Sequence, residues 1–167
     1  MFGSVSFLET FFACCNEKAE EVDDSDGELG RFLEDLVREW IKTRQAATCD
    51  PGQTVERLLS WIDDDPYGFC SQMDRKAVDV FDDRGLQVFE ERIRSRFEEA
   101  LSGHEKSPKE SYVVQSSGDV LKAICSRRGD LDGYLALCQH TGTTPADCET
   151  TAALCEQRGD LAGRLLI

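Results

Sequence analysis

Residues Ala123–Leu137 (AICSRRGDLDGYLAL) return as Ala153–Ile167 (ALCEQRGDLAGRLLI), identical at eight of fifteen positions with a shift of thirty. Each copy reads as a helix, a tight Arg-Gly-Asp turn and a second helix. A repeat of this length marks stacked helical hairpins, units that bury a core only against their neighbours. The Arg128–Asp130 and Arg158–Asp160 triplets resemble an adhesion signal, but helix chemistry accounts for them. Glycine closes one helix in the left-handed position, aspartate caps the next, and arginine suits the negative end of the last turn.

The same periodicity runs through the rest of the chain. A first helix is expected over Ser6–Ala19, with Phe7, Leu8, Phe11 and Phe12 on one side. Leu29, Phe32, Leu33, Leu36, Val37, Trp40 and Ile41 recur at steps of three and four, one apolar stripe of a second helix. Asp50-Pro51 supplies an N-cap and a first-turn proline for a short helix carrying Val55, Leu58, Leu59 and Ile62. Ser71 and Asp74 suggest a new start, with Met73, Ala77, Val80 and Phe81 inward and Arg84-Gly85 as the stop, glycine taking the left-handed cap. Leu86, Phe89, Ile93, Phe97 and Leu101 line the next helix, and Thr144-Pro145 with Asp147 forms a capping pattern in the repeat region. No run alternates as a strand requires.

The net charge of −14 argues against general binding to nucleic acid or anionic membrane; it suits a protein or a basic peptide as partner, but acidic surfaces more often serve solubility alone. No stretch approaches eighteen apolar residues, so no transmembrane helix is expected. The N-terminal MFGSVSFLETFFACC has no Lys or Arg before its apolar run and contains Glu9, unlike a signal peptide. Eight cysteines without a C-x-x-C pair, and only His104 and His140 to join them, point to structural thiols rather than zinc. Cys125 and Cys155 are equivalent in the repeat and fall on apolar faces, and such usage suits a reducing cytoplasm.

Glu20–Glu28 resembles a calcium loop, but alignment on Gly27 puts Val22 and Leu33 where oxygen ligands belong, so it reads as a solvated linker. The segment Trp61–Cys70 (WIDDDPYGFC) is the most distinctive surface. Trp61, Tyr67 and Phe69 are large aromatics beside Asp63, Asp64 and Asp65; such residues are enriched at interfaces, but they also anchor cores. The three carboxylates also allow a metal-dependent or enzymatic module, although adjacent residues on regular backbone do not converge on one point. The nucleotide-binding, nucleophile-elbow and zinc-protease signatures are missing, and neither a cofactor nor a catalytic residue is assigned.

From Leu33 onward the chain resembles a bacterial helical family of uncharacterised function. Trp61–Cys70, Phe81–Ala100 and Gly129–Cys148 carry the resemblance. Related segments are similar to regions that follow SWIM-type zinc fingers, whose arrangement of a C-x-C followed by a C-x-H this chain lacks. The resemblance implies a tetratricopeptide-like array in a bacterial cytoplasm. The expectation is an all-α chain of eight or nine helices, antiparallel hairpins stacked as a short α-solenoid. Its parts are an N-terminal array over 1–101, a linker over 102–111 and hairpin repeats over 112–167, one continuous unit with the last hairpin incomplete. The leading function is a protein-interaction scaffold. The alternatives are the Asp63–Asp65 module and a structural homodimer through the N-terminal helix or the open C-terminal hairpin.

Overall fold

The computed structural model describes residues 2–18, 27–65, 70, 72–103 and 108–159, the side chains of 2–4, 15–18 and 109 excepted. The described residues form eight helices and no strand: α1 (Phe2–Lys18), α2 (Glu28–Ala46), α3 (Pro51–Asp63), α4 (Met73–Ala77), α5 (Asp83–Ser102), α6 (Pro108–Arg128), α7 (Leu131–Thr141) and α8 (Pro145–Arg158). The all-α class is therefore as the periodicity implied. The acidic segment 19–26 lies outside the described residues. Of the expected 102–111 linker, Ser102 closes α5, Pro108–Ser111 open α6, and 104–107 lie outside the described residues. The chain divides at Phe89–Glu90 into two compact units.

In the first unit, α2 buries Leu33, Val37, Trp40 and Ile41, the centre of its expected stripe. Each such side chain contributes roughly 1.5–3 kcal/mol when fully buried. Helix α3 starts as its sequence dictates. Asp50 accepts a bond from the Gln53 amide at 2.9 Å, Pro51 takes the first position, and Val55, Leu58 and Leu59 are buried. Contacts at Arg44–Thr54 and Trp40–Trp61 run α3 antiparallel to α2.

Two expectations fail here. Helix α4 does start beside Asp74, which lies in its first turn, with Ser71 outside the described residues, but it is only five residues long. The backbone then turns, so Val78 is buried and Val80 only partly so. Gly85 does not end that helix in a left-handed conformation. It sits in the first turn of α5, its amide donating to Asp82 Oδ1 at 2.7 Å, so Asp82 is the cap. A Cβ on Gly85 would come within 2.7 Å of the Phe81 ring, so glycine is there for packing.

In the second unit, α5 from Glu90 onward, α6, α7 and α8 run in alternating directions. The pairs that set this are Glu90 with Arg128, Phe97 and Thr141 beside Gly118, and Asp132 with Arg158. Ser117, Val120, Leu121, Ile124 and Cys125 make one buried stripe on α6, and Leu131, Tyr134, Leu137 and Cys138 another on α7. Between them Gly129, at φ +71°, and the Asp130 cap, which accepts from the Gly133 amide at 3.0 Å, make the turn that the Arg-Gly-Asp triplet implied. Gly159 ends α8 in the same conformation, at φ +76°; Asp160 and the rest of the second copy lie outside the described residues. Cys125 and Cys155 are buried, as their repeat positions required.

Candidate functional site

The acidic segment after α3 is shaped by local bonding. Asp63 and Asp64 are exposed, and Asp64 accepts a bond from Ser60 Oγ at 3.3 Å. The Asp65 Oδ2 accepts the Cys70 amide at 2.5 Å. Burial, and then the Asp65 charge, pushes the Cys70 thiol up to about 12. Trp61 does not stand beside the carboxylates as a free ring. It stacks on Phe12 at 4.2 Å and leans on Trp40 at 4.6 Å, so it joins α1, α2 and α3. Tyr67 and Phe69 lie outside the described residues. Among the described residues no group of three or more His, Cys, Asp and Glu side chains is placed to hold a metal ion.

A surface that periodicity did not reveal lies on α1. The apolar arc Phe7, Leu8, Phe11, Phe12 is wider than the strip the fold buries. That strip is centred on Val5 and Phe12, seven residues apart and therefore on one face. Glu9 is turned to the same side. Its Oε1 accepts from Trp40 Nε1 at 3.1 Å and from the Arg44 guanidinium at 3.2 Å, while that guanidinium lies 5.2 Å from the centre of the Trp40 ring. Anchoring Glu9 and Phe12 inward turns Phe7 and Phe11 out: Phe7 is 66% exposed and Phe11 39%. Phe11 meets Phe32 of α2, itself 45% exposed, edge-on at 5.8 Å, and Phe7 stacks on Phe11 at 6.1 Å. Three connected rings at the surface are unusual, because exposed apolar residues are ordinarily scattered. The signal that could have located them is Glu9, a charge whose inward partners rotate the helix.

In the second unit Asp147 holds a buried polar network. It completes a capping box with Thr144, as the sequence implied, and also accepts the Tyr134 hydroxyl at 2.7 Å and pairs with Lys122 Nζ at 3.2 Å. Lys122 and Asp147 are both nine-tenths buried, and Lys122 reaches the Gly142 carbonyl at 3.4 Å as well. Burial alone would raise the Asp147 pKa; the bonds from Thr144, Tyr134 and Lys122 outweigh it and hold the carboxyl well below the usual range. Burial, followed by the bond to Asp147, pushes Tyr134 up to about 12. Every member has a partner, so the cluster reads as a lock between α6, α7 and α8 rather than as reactive groups.

A cavity of about 120 Å3 in the first unit is lined by Gln45, Thr48, Cys49, Phe81, Asp82 and Arg84. Its wall includes Thr48 at φ +52°, a left-handed conformation that a β-branched residue rarely adopts. The Cys49 amide donates to the Arg44 carbonyl at 3.0 Å and the Thr48 amide to the Gln45 carbonyl at 2.9 Å, the bonding of a Schellman helix end. No helix among the described residues is long and apolar enough to cross a membrane.

The model of a family of unknown function, DUF6880, matches residues 3–165, nearly the full length and both units. No curated protein and no solved structure matches the chain. A match of this extent settles membership: the chain belongs to the DUF6880 family, whose description assigns no function.

Proposed function

We propose that the protein is an interaction scaffold that docks another polypeptide through the outer face of α1 and the neighbouring Phe32. The observation that carries this reading is the connected, exposed Phe7–Phe11–Phe32 cluster. Such rings bring large contact area at small entropic cost, and aromatic anchors dominate binding energy at protein interfaces. The rings sit on helices whose opposite faces are locked into a core, which presents them rigidly. Asp63 and Asp64 add a separate acidic patch suited to a basic side chain of a partner. The stacking of α5 to α8 supports the tetratricopeptide-like reading of the second unit and a scaffold role for it. The Asp63–Asp65 turn gives the enzymatic alternative little support, because Asp65 is committed to the Cys70 amide.

The test compares the full wild-type chain with a Phe7→Ser/Phe11→Ser variant, both immobilised and both checked for unchanged helix content. Proteins retained by the wild type, this chain included, should be lost from the variant. Identical retained sets would count against the docking role of this face.

A further inference from the structure

We infer that the occupant of the α1 face is a second copy of this chain, packed α1 against α1 about a two-fold axis. The inference rests on the docking reading above and adds the identity of the partner. Between Val5 and Cys14 the exposed residues of α1 are Ser6, Phe7, Thr10, Phe11, Ala13 and Cys14. None carries a charge, and Glu9, the one charged residue in the segment, is turned to Trp40 and Arg44. The chain as a whole is 31% charged and has a net charge of −14.

A foreign partner recognised by charge needs complementary charge at the contact, and the exposed residues of α1 between Val5 and Cys14 offer none. A second copy needs a surface that matches itself, because in a two-fold dimer the same patch lies on both sides. For a chain of −14, an uncharged face is where two copies meet without opposing like charges. The relief of the helix also matches itself. Phe7 and Phe11 form a ridge of rings, and Ser6, Thr10 and Ala13 lie alongside as a row of small residues at helical spacing. Rings of one copy can settle over the small residues of the other, as helix ridges pack into grooves. The three phenylalanines expose roughly 300 Å2 of ring surface per copy, taking about 200 Å2 for a whole side chain. That is below the roughly 800 Å2 that one side of a standard interface buries. The dimer is therefore a weak one that concentration shifts.

Sedimentation equilibrium of the full chain, over a concentration series at low and high salt, tests this. The wild type should show a monomer–dimer equilibrium that tightens as salt is raised, since screening reduces repulsion between two acidic chains. Thr10→Glu places a charge on the face without touching the core. It should weaken the dimer at least tenfold, and Phe11→Ser should do the same, with helix content unchanged by circular dichroism. A wild type that stays monomeric at the highest concentration overturns the second copy as occupant. So does a dimer that both variants leave intact, or one that loosens with salt. The docking reading fails separately: it falls if the Phe7→Ser/Phe11→Ser chain retains the same proteins as the wild type, whatever the sedimentation result.

Discussion

Replacing Asp147 by alanine tests whether the buried network holds the second unit together. In the folded chain Asp147 closes the cap of α8, accepts the Tyr134 hydroxyl and faces the Lys122 ammonium at 3.2 Å, with the two charged side chains 8% and 5% exposed. Breaking a buried ion pair from one side costs about 3–5 kcal/mol, because the remaining charge stays out of water. Asp119, at 4.0 Å and 45% exposed, is a poor substitute partner. Loss of a helix cap alone is worth ~1 kcal/mol, and the two losses overlap rather than add. The expected loss is therefore about 3–5 kcal/mol, a large share of the roughly 5–15 kcal/mol that stabilises a domain. Urea unfolding followed by circular dichroism, with hydrogen exchange on α8, measures it. If the orphaned ammonium is the cause, adding Lys122→Met to Asp147→Ala should recover at least ~1 kcal/mol. A single variant within about 1 kcal/mol of wild type, or no recovery in the double variant, would refute the reasoning.

The same network sets a pH dependence. The folded carboxyl of Asp147 titrates below its unfolded value of about 3.9. Its contribution is thus present above that pH and is lost as pH falls through the folded value. Tyr134 acts at the other end: its hydroxyl is raised to about 12, so its contribution is complete below about 10 and fades as pH rises toward the folded value. The Asp147→Ala chain should lack the acid-side component in pH-dependent urea midpoints.

Alanine at Gly118 would place a Cβ 2.3 Å from Thr141 Cγ2 and 3.3 Å from the Phe97 ring. Gly118→Ala should therefore destabilise by about 1–3 kcal/mol, although glycine to alanine within a helix ordinarily gains ~1 kcal/mol. Relief by Thr141→Ser in a thermal melt identifies the clash as the cause. Thr48→Gly removes a left-handed β-branched residue and should stabilise by about 0.5–1 kcal/mol in urea titration; a loss would show that the Thr48 side chain has a role beyond the turn. A maleimide should label exposed Cys14 first in the native chain and spare Cys70 and Cys125, whose thiols burial pushes up to about 12 and about 11. Equal labelling of Cys125 and Cys14 would contradict the packing of α6 against α7.

Local chemistry carried much of the fold into view. The Asp50-Pro51 start of α3, the Gly129-Asp130 turn and the Thr144–Asp147 capping box each depend on neighbours within a few residues, so spacing alone located them. The buried centre of α2 followed from its period for the same reason. Gly85 shows the limit. Arg-Gly reads alike whether glycine ends a helix or opens one, and the Asp82 bond that decided it depends on where the chain turns after α4. The candidate surface divides in the same way. Trp61 is aromatic beside carboxylates in sequence, yet in space its neighbours are Phe12 and Trp40, roughly fifty and twenty residues away.

The sequence by itself determined that this chain is helical, where several of its helices begin and end, and that its repeat cysteines face inward, because periodicity and capping are local properties. Only the tertiary structure decided which part of each apolar arc is buried. On α1 that choice rests on Glu9 meeting Trp40 and Arg44, an interaction more than thirty residues away, which holds Phe12 in the core and leaves Phe7 and Phe11 at the surface. Likewise Asp147 reads as a cap in sequence, and only the packing of α6 and α7 against α8 makes it the partner of a buried lysine.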